Sequence, residues 1–413
     1  MSPGHILLAS LVGTSVEFYD FYIYATAASL VFGPLFFSAV AGPAQILLSY
    51  ATLGIAFVAR PVGAIVFGHF GDRIGRKSTL VASLLMMGMS TIAIGVLPTF
   101  ATVGWFAPVL LTLLRFGQGL GLGGEWGGAV LLAIENAPPH LRSRYAMVPQ
   151  LGAPVGFIAA NGMFLLLGLA LSPAEFQAWG WRLPFLASTI LVGVGLWVRL
   201  KLAETPIFSA ALAKAPPPRV PVGTLLARYP LETLAGVFSV VSTFALFYLM
   251  TVFALGYGTS SLHIDRREFL GVQLFAILFM AGGILLSGVL ADRTSPRWVM
   301  IIACVLTVPV GLLMEPMLTS GSLLQIGILL SMGLGVMGLV YGPLGAQLSG
   351  LFPPLVRYTG ASIAFSVGGI LGGGVAPILA KDLADHGQLS MVGFLLAGSG
   401  VLSLVALLPF RNR

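Results

Sequence analysis

Apolar residues fall in twelve long blocks separated by short polar breaks: 5–37, 45–70, 78–97, 103–135, 145–171, 181–200, 230–258, 268–291, 298–314, 322–352, 358–381 and 388–408. A helix rises ~1.5 Å per residue, so each block crosses most or all of a ~30 Å hydrocarbon core. The widest break, 201–229, is polar and contains Lys214-Ala215-Pro216-Pro217-Pro218-Arg219. Proline runs of this kind mark connectors. The pattern predicts an all-α membrane protein with twelve transmembrane helices. Six helices form a bundle over 1–200, a linker covers 201–229, and a second six-helix bundle occupies 230–413.

Composition closes other classes. The 413-residue chain is 57% hydrophobic and 8% charged, with mean hydropathy +0.98, unlike a soluble domain. Its net charge of +7 would suit nucleic acid only if gathered on one soluble face, whereas these charges sit in alternate loops. Cys304 is the single cysteine, which excludes an internal disulfide or a CxxC site. His5, His69, His140, His263 and His386 fall in loops or at block ends, so no metal site or buried histidine relay is expected. Gly-x-Gly patterns follow no strand and are not nucleotide loops. An intramembrane enzyme would need a Ser-His pair or metal ligands at mid-depth, and none is present. Met1–His5 carries no basic residue ahead of the first block, unlike a cleaved signal.

Charge is densest in Gly68-His69-Phe70-Gly71-Asp72-Arg73-Ile74-Gly75-Arg76-Lys77, between the second and third blocks. A degraded copy, Gly288-Val289-Leu290-Ala291-Asp292-Arg293-Thr294-Ser295-Pro296-Arg297, follows 220 residues later. Glycine lets two helix ends approach, and an Asp-Arg pair can meet neighbouring helix termini. A repeat of half the chain predicts two homologous halves. Of the 21 Lys and Arg residues, fifteen (Arg199 among them) fall on the side of both motifs and the linker, and four on the other. That excess marks the cytoplasmic side and places both termini there.

The last two basic residues, Arg60 and Arg115, lie inside apolar blocks, as do Glu17, Asp20 and Glu125. A charge at the bilayer centre costs about 2.5–3.5 kcal/mol on insertion scales, so such residues face a bundle interior or a wet cavity. Helical rise places Glu17, Asp20, Arg60 and Glu125 roughly 15–22 Å deep and Arg115 about 30 Å from Glu135. One reading is a fixed salt-bridge network, the other transport chemistry. Asp20 sits among Phe18, Tyr19, Phe21, Tyr22 and Tyr24, where desolvation favours the neutral acid that proton coupling requires. Glu17, three residues earlier, shares its face and can share its proton. Arg115 stands ~15 Å along the helix from Glu125, free to attract an anion. The glycines of 115–128 allow close packing and bending. Gln118, Gln150, Asn161, Gln273, Gln347, Tyr248, Tyr257 and Tyr341 either line a path or bond helix to helix.

These stretches resemble the major facilitator superfamily and, within it, the metabolite:proton symporter family. The broad likeness is the 68–77 signature. The narrower one rests on Gly13-Thr14-Ser15-Val16-Glu17-Phe18-Tyr19-Asp20-Phe21, Arg60-Pro61-Val62-Gly63, Gly123-Gly124-Glu125-Trp126, Pro149-Gln150-Leu151-Gly152-Ala153-Pro154-Val155-Gly156, Trp179-Gly180-Trp181-Arg182-Leu183-Pro184-Phe185, Glu204-Thr205-Pro206-Ile207-Phe208, Tyr341-Gly342-Pro343 and Val356-Arg357-Tyr358-Thr359-Gly360-Ala361-Ser362.

The resemblance implies two pseudo-symmetric bundles rocking about one site, driven by a proton gradient and without a cofactor. Asp20, Glu125 and Glu17 would couple the proton. Arg115 and Arg60, with Tyr22, Gln118, Asn161, Tyr248 and Tyr341, would surround the substrate. Gly68, Asp72, Arg73, Arg76, Glu135, Arg142, Asp292 and Arg293 would form the cytoplasmic gate, Glu135 pairing with Arg142 or Arg144. The expected function is import of a small carboxylate with protons by a monomer in a bacterial-type inner membrane. The alternatives are a carrier of a zwitterion or cation and a drug-efflux antiporter. Gly152-Ala153-Pro154-Val155-Gly156 lacks the adjacent Gly-Pro of antiporters, and the chain ends without the heptad tail of osmosensing carriers. Ser295-Pro296 departs from the signature, so the second gate contact should be looser. Gly350 stands where relatives carry an acid, so one gate contact should be missing.

Overall fold

A computed structural model describes residues 3–40, 42–200 and 221–409, apart from the side chains at 3, 42, 43, 46, 47, 50 and 76. Residues 201–220 of the expected linker, with the Glu204–Phe208 motif, lie outside the described residues, as does the Arg76 side chain. Twelve described helices are long and apolar enough to cross a membrane: α1 (Gly4–Phe36), α2 (Ala51–Arg73), α3 (Lys77–Gly95), α4 (Phe106–Glu135), α5 (Pro139–Ala170), α6 (Arg182–Leu200), α7 (Pro230–Ser260), α8 (Arg266–Arg293), α9 (Pro296–Leu318), α10 (Leu323–Leu351), α11 (Arg357–Asp385) and α12 (Leu389–Leu407). Several run past their apolar blocks into charged ends. At α2 the helix carries on through Gly71-Asp72-Arg73, which fixes where the first motif points.

The two halves pack by the same contacts. A Cβ on Gly63 would strike the Leu120 carbonyl and one on Gly123 the Arg60 carbonyl, so α2 and α4 touch backbone to backbone. In the second half Gly283 meets the Gly335 carbonyl and Gly338 the Met280 carbonyl, joining α8 to α10 in the same way. Gly283 stands 220 residues after Gly63, the spacing of the Asp-Arg motifs. Small residues are what such close crossings need in a bilayer. The repeat also covers a backbone irregularity. α1 has a π turn at Ala28–Phe32 and α7 one at Leu249–Phe253, a feature that often marks working sites.

The result is two pseudo-symmetric six-helix bundles. Outward faces carry exposed Phe106, Ile190, Phe275, Ile378 and Leu402, as lipid contact requires. Among the described residues the buried charged side chains all lie on α1, α2, α4 and α6. An open groove of about 720 Å³ between α8 and α10, lined by Phe275, Phe279, Leu324 and Ile328, lies away from that cluster.

Candidate functional site

The halves enclose a cavity of about 30 Å³, roughly the volume of one water molecule. From the first half it is lined by Glu17, Phe18, Phe21 and Tyr22 of α1, Arg60 of α2, Leu122 of α4 and Ala153 of α5. The second half adds Thr243, Phe244, Phe247 and Tyr248 of α7, Met337 and Tyr341 of α10, and Phe365 of α11. Tyr22 stacks on Phe247 at 5.5 Å, and Tyr248 sets its edge against Phe21 and Phe57. These rings close the cavity between the halves.

Two charges face it. Arg60 lies over Phe57, Phe244 and Phe365 at 5.9, 5.7 and 5.4 Å, positions in which guanidinium is attracted to ring faces. Among the described residues its Nε has no hydrogen-bond partner, and neither oxygen of the fully buried Glu17 has one. The expected sharing of a proton between Glu17 and Asp20 is not what the geometry offers. Among the described residues no hydrogen bond joins the two carboxyl groups, and both Asp20 oxygens are engaged by hydroxyls of other helices. Asp20 points away from the cavity, where Ser188 of α6 donates its hydroxyl at 2.5 Å and Thr91 of α3 at 2.9 Å.

That contact continues to Arg115. Gln118 Nε2 donates to Thr91 Oγ1 at 2.7 Å, and Arg115 Nη1 donates to Gln118 Oε1 at 3.0 Å. The Arg115 guanidinium is buried over Tyr24 and Phe21 at 4.0 and 4.8 Å. It stands clear of Glu125, as helical spacing requires, yet it is absent from the cavity lining. Asn161 also lies outside that lining, accepting from Thr26 at 3.0 Å.

Glu125 has a partner that charge counting along the chain misplaces. Arg199 pairs with Glu125 Oε1, and both side chains are buried. Arg199 is thus a bundle residue and not a loop residue. Its signal is the helical spacing that puts Arg199 on one face of α6 with Ser188, Val192 and Gly195, the face that the structure buries. Trp126, next to Glu125, stacks on Phe365 at 3.7 Å and donates Nε1 to Gln150 at 2.9 Å. Gln150 donates in turn to the Tyr341 carbonyl at 3.0 Å, joining the halves.

At the end carrying the Asp-Arg motifs, each aspartate caps a helix of the other half. Asp72 accepts from the backbone N–H of Tyr358 at 3.3 Å, from that of Thr359 at 2.9 Å and from the Thr359 hydroxyl at 2.7 Å, all at the start of α11. Asp292 accepts from the backbone N–H of Ser143 at 2.8 Å and of Arg144 at 3.2 Å in α5, with Arg144 Nε at 3.4 Å. Carboxylates suit helix N-termini. Gly68 lies against Thr359 and Gly71 against Tyr358, so no side chain fits between α2 and α11. The second contact uses the carboxylate and two α5 amides but has no counterpart, among the described residues, of the Thr359 hydroxyl bond to Asp72, while Ser295 accepts the Trp298 N–H at the start of α9. Glu135 lies 3.7 Å from Arg357, not on Arg142 or Arg144. With the Ser143 and Arg144 amides turned to Asp292, Arg142 is exposed and Arg144 is engaged. Arg73 turns to His69 on its own helix at 3.2 Å, and Arg293 is exposed.

The Major Facilitator Superfamily profile matches residues 10–377. The inner membrane metabolite transport protein YhjE of Escherichia coli (strain K12) is 49% identical, over 98% of this chain and 94% of that protein. The shikimate transporter of the same strain is 35% identical, over 97% and 93% of the two chains. The proline/betaine transporter of Salmonella typhimurium is 29% identical, over 97% and 81%. Among solved structures, the proton:xylose symporter XylE bound to 6-bromo-6-deoxy-D-glucose has a TM-score of 0.79, over 98% of this chain and 94% of that one. Its 14% identity makes this a likeness of fold. With two bundles related by an internal repeat, a central cavity lined by both, and relatives named as metabolite transport proteins that match over nearly the whole chain, this chain belongs to the Major Facilitator Superfamily of transporters.

Proposed function

We propose that the chain is a symporter carrying a small carboxylate inward with a proton, Glu17 holding the proton and Arg60 the carboxylate. The observation that supports this above others is that both face one closed cavity with polar atoms the protein leaves unpartnered. A buried unpaired charge is costly. With Glu17 ionised, Arg60 balances it, and an entering anion adds uncompensated negative charge. With a proton on Glu17, the anion restores neutrality. Proton and carboxylate are therefore favoured together, which is the condition for symport. Guanidinium also offers a carboxylate two parallel hydrogen bonds.

The remaining assignments extend this reading. Asp20, tied to Arg115 through Thr91 and Gln118, is a second coupling group. The bundles at 1–200 and 230–413 rock about the cavity. The end closed by Asp72 and Asp292 faces the cytoplasm of a bacterial inner membrane, consistent with the Lys and Arg excess, and the working unit is a monomer.

The test is purified protein in liposomes with a pH-reporting dye inside, challenged with shikimate, benzoate, glycine betaine or xylose. Luminal acidification driven by a carboxylate, lost in Arg60→Gln, is expected. Acidification by xylose or betaine alone, or carboxylate entry without protons, overturns the proposal.

A further inference from the structure

A second acid competes with Glu17 for one cation. Arg199 holds Glu125 Oε1, and its Nη1 donates to the Leu80 carbonyl at 2.8 Å. The same guanidinium lies against Gly13, where any Cβ would run into Nη2, Cζ and Nε. Gly13 stands one turn from Glu17 on the same face of α1, because residues four apart are neighbours. Arg199 therefore sits one helical turn from Glu17 while bonded to Glu125. Among the described residues, Glu125 Oε2 and both Glu17 oxygens have no hydrogen-bond partner. The charged and titratable groups facing Glu17 are Arg60 from α2, Glu125 from α4, Arg199 from α6, Tyr22 from α1 and Tyr341 from α10. Glu125 is faced by Arg199, Glu17 and Asp20.

Once a carboxylate occupies Arg60, the two acids have one cation left between them and reach neutrality only with one proton. We propose that Arg199 is a shared counter-ion that alternates between Glu125 and Glu17, the acid it leaves holding the proton. The step balances. The Glu17 O–H gives its proton to the Glu125 carboxylate, while Arg199 moves its hydrogen bond from Glu125 to the Glu17 carboxylate so formed. The Glu125 O–H then releases the proton to water at the Asp-Arg end. Arg199 is a positioning residue here, and Gly13 gives its guanidinium room to reach both acids.

The inference rests on the reading above for the role of Glu17, but its test needs no transported solute. Thermal unfolding of the purified protein in detergent is compared for Glu17→Gln, Glu125→Gln and the double variant. A shared counter-ion makes Glu125→Gln mild, because Arg199 turns to Glu17, and makes the double variant lose more than the sum of the single losses. Adding Arg199→Gln to the double variant recovers that excess, and Arg199→Lys does not. Additive losses mean a fixed Glu125–Arg199 pair and overturn the proposal. If the double variant does not fold, normal folding of Glu125→Gln supports the proposal and its failure overturns it. Absence of carboxylate transport would remove the Arg60 assignment and leave the outcome of this cycle unchanged.

Discussion

Glu135 lies 3.7 Å from Arg357 across the boundary between the two bundles. In the repeat, Arg357 corresponds to Arg142 and Glu135 to Gly350, each pair 215 residues apart. Gly350 has open space about it and Arg142 is exposed. The Asp-Arg end thus carries two aspartate caps but lacks the second copy of this ion pair. Gly350→Glu should supply it. A partly exposed pair is worth about 0.2–1 kcal/mol, so the open population should fall by up to about fivefold. Labelling of a cysteine placed at Ser362, which packs on Gly127 between α11 and α4, reads that opening. The native Cys304 is buried and gives little background. An unchanged labelling rate would show that the introduced carboxylate and Arg142 do not meet.

Removing either cap should do the opposite. Asp72 and Asp292 each accept two backbone N–H groups of a helix from the other half. Hydrogen bonds to a charged group contribute about 1.5–3 kcal/mol each. Asp72→Ala and Asp292→Ala should therefore raise labelling at the same cysteine by tenfold or more, and by similar factors. A much smaller effect of Asp292→Ala would mean that the degraded motif does hold less firmly.

The twelve helices were legible because hydropathy registers the bilayer directly, and the half-chain repeat was legible because Asp-Arg recurs at a fixed distance. What the chain does not reveal is which way a charge at a helix end turns. Arg199 stands in the last turn of α6, and a count of loop charges places it at the water surface. Its side chain instead turns inward to Glu125, on the face of α6 that also buries Ser188, Val192 and Gly195. The same limit affects the cavity. Arg60 and Arg115 are both intramembrane arginines in sequence, yet rotation about α2 and α4 puts only the first beside Glu17. Thr91 and Ser188 are ordinary helix hydroxyls until folding brings both to Asp20.

Asp20 gives a third expectation. Asparagine keeps one acceptor for Ser188 or Thr91 but presents an N–H group to the other hydroxyl and carries no exchangeable acid proton. Asp20→Asn should abolish accumulation driven by a pH gradient while leaving counterflow exchange of the same solute measurable. The solute is whichever carboxylate acidifies the liposome lumen. Accumulation persisting in this variant would remove Asp20 from the coupling machinery.

The two arginines should fail differently. Arg60 faces the cavity with its Nε unpartnered, so a lysine there keeps the charge and loses the two-pronged geometry that holds a carboxylate. Arg60→Lys should weaken carboxylate affinity by about tenfold or more, since one charged hydrogen bond is worth about 1.5–3 kcal/mol. Proton coupling of what is still carried should remain. Arg115 is not itself a lining residue of the cavity and meets it only from behind Phe21. It reaches Asp20 through Gln118 and Thr91, and it rests on Tyr24 and Phe21. A lysine loses the planar contact with those rings and the fixed donor to Gln118. Arg115→Lys should therefore leave affinity within about threefold, a change worth under about 1 kcal/mol, and lower the ratio of protons to substrate carried. Binding is read by titration in detergent and the ratio by dye and radiolabel in the same liposomes. If Arg115→Lys instead removes binding while Arg60→Lys leaves it intact, the carboxylate sits on Arg115 and the Arg60 assignment falls.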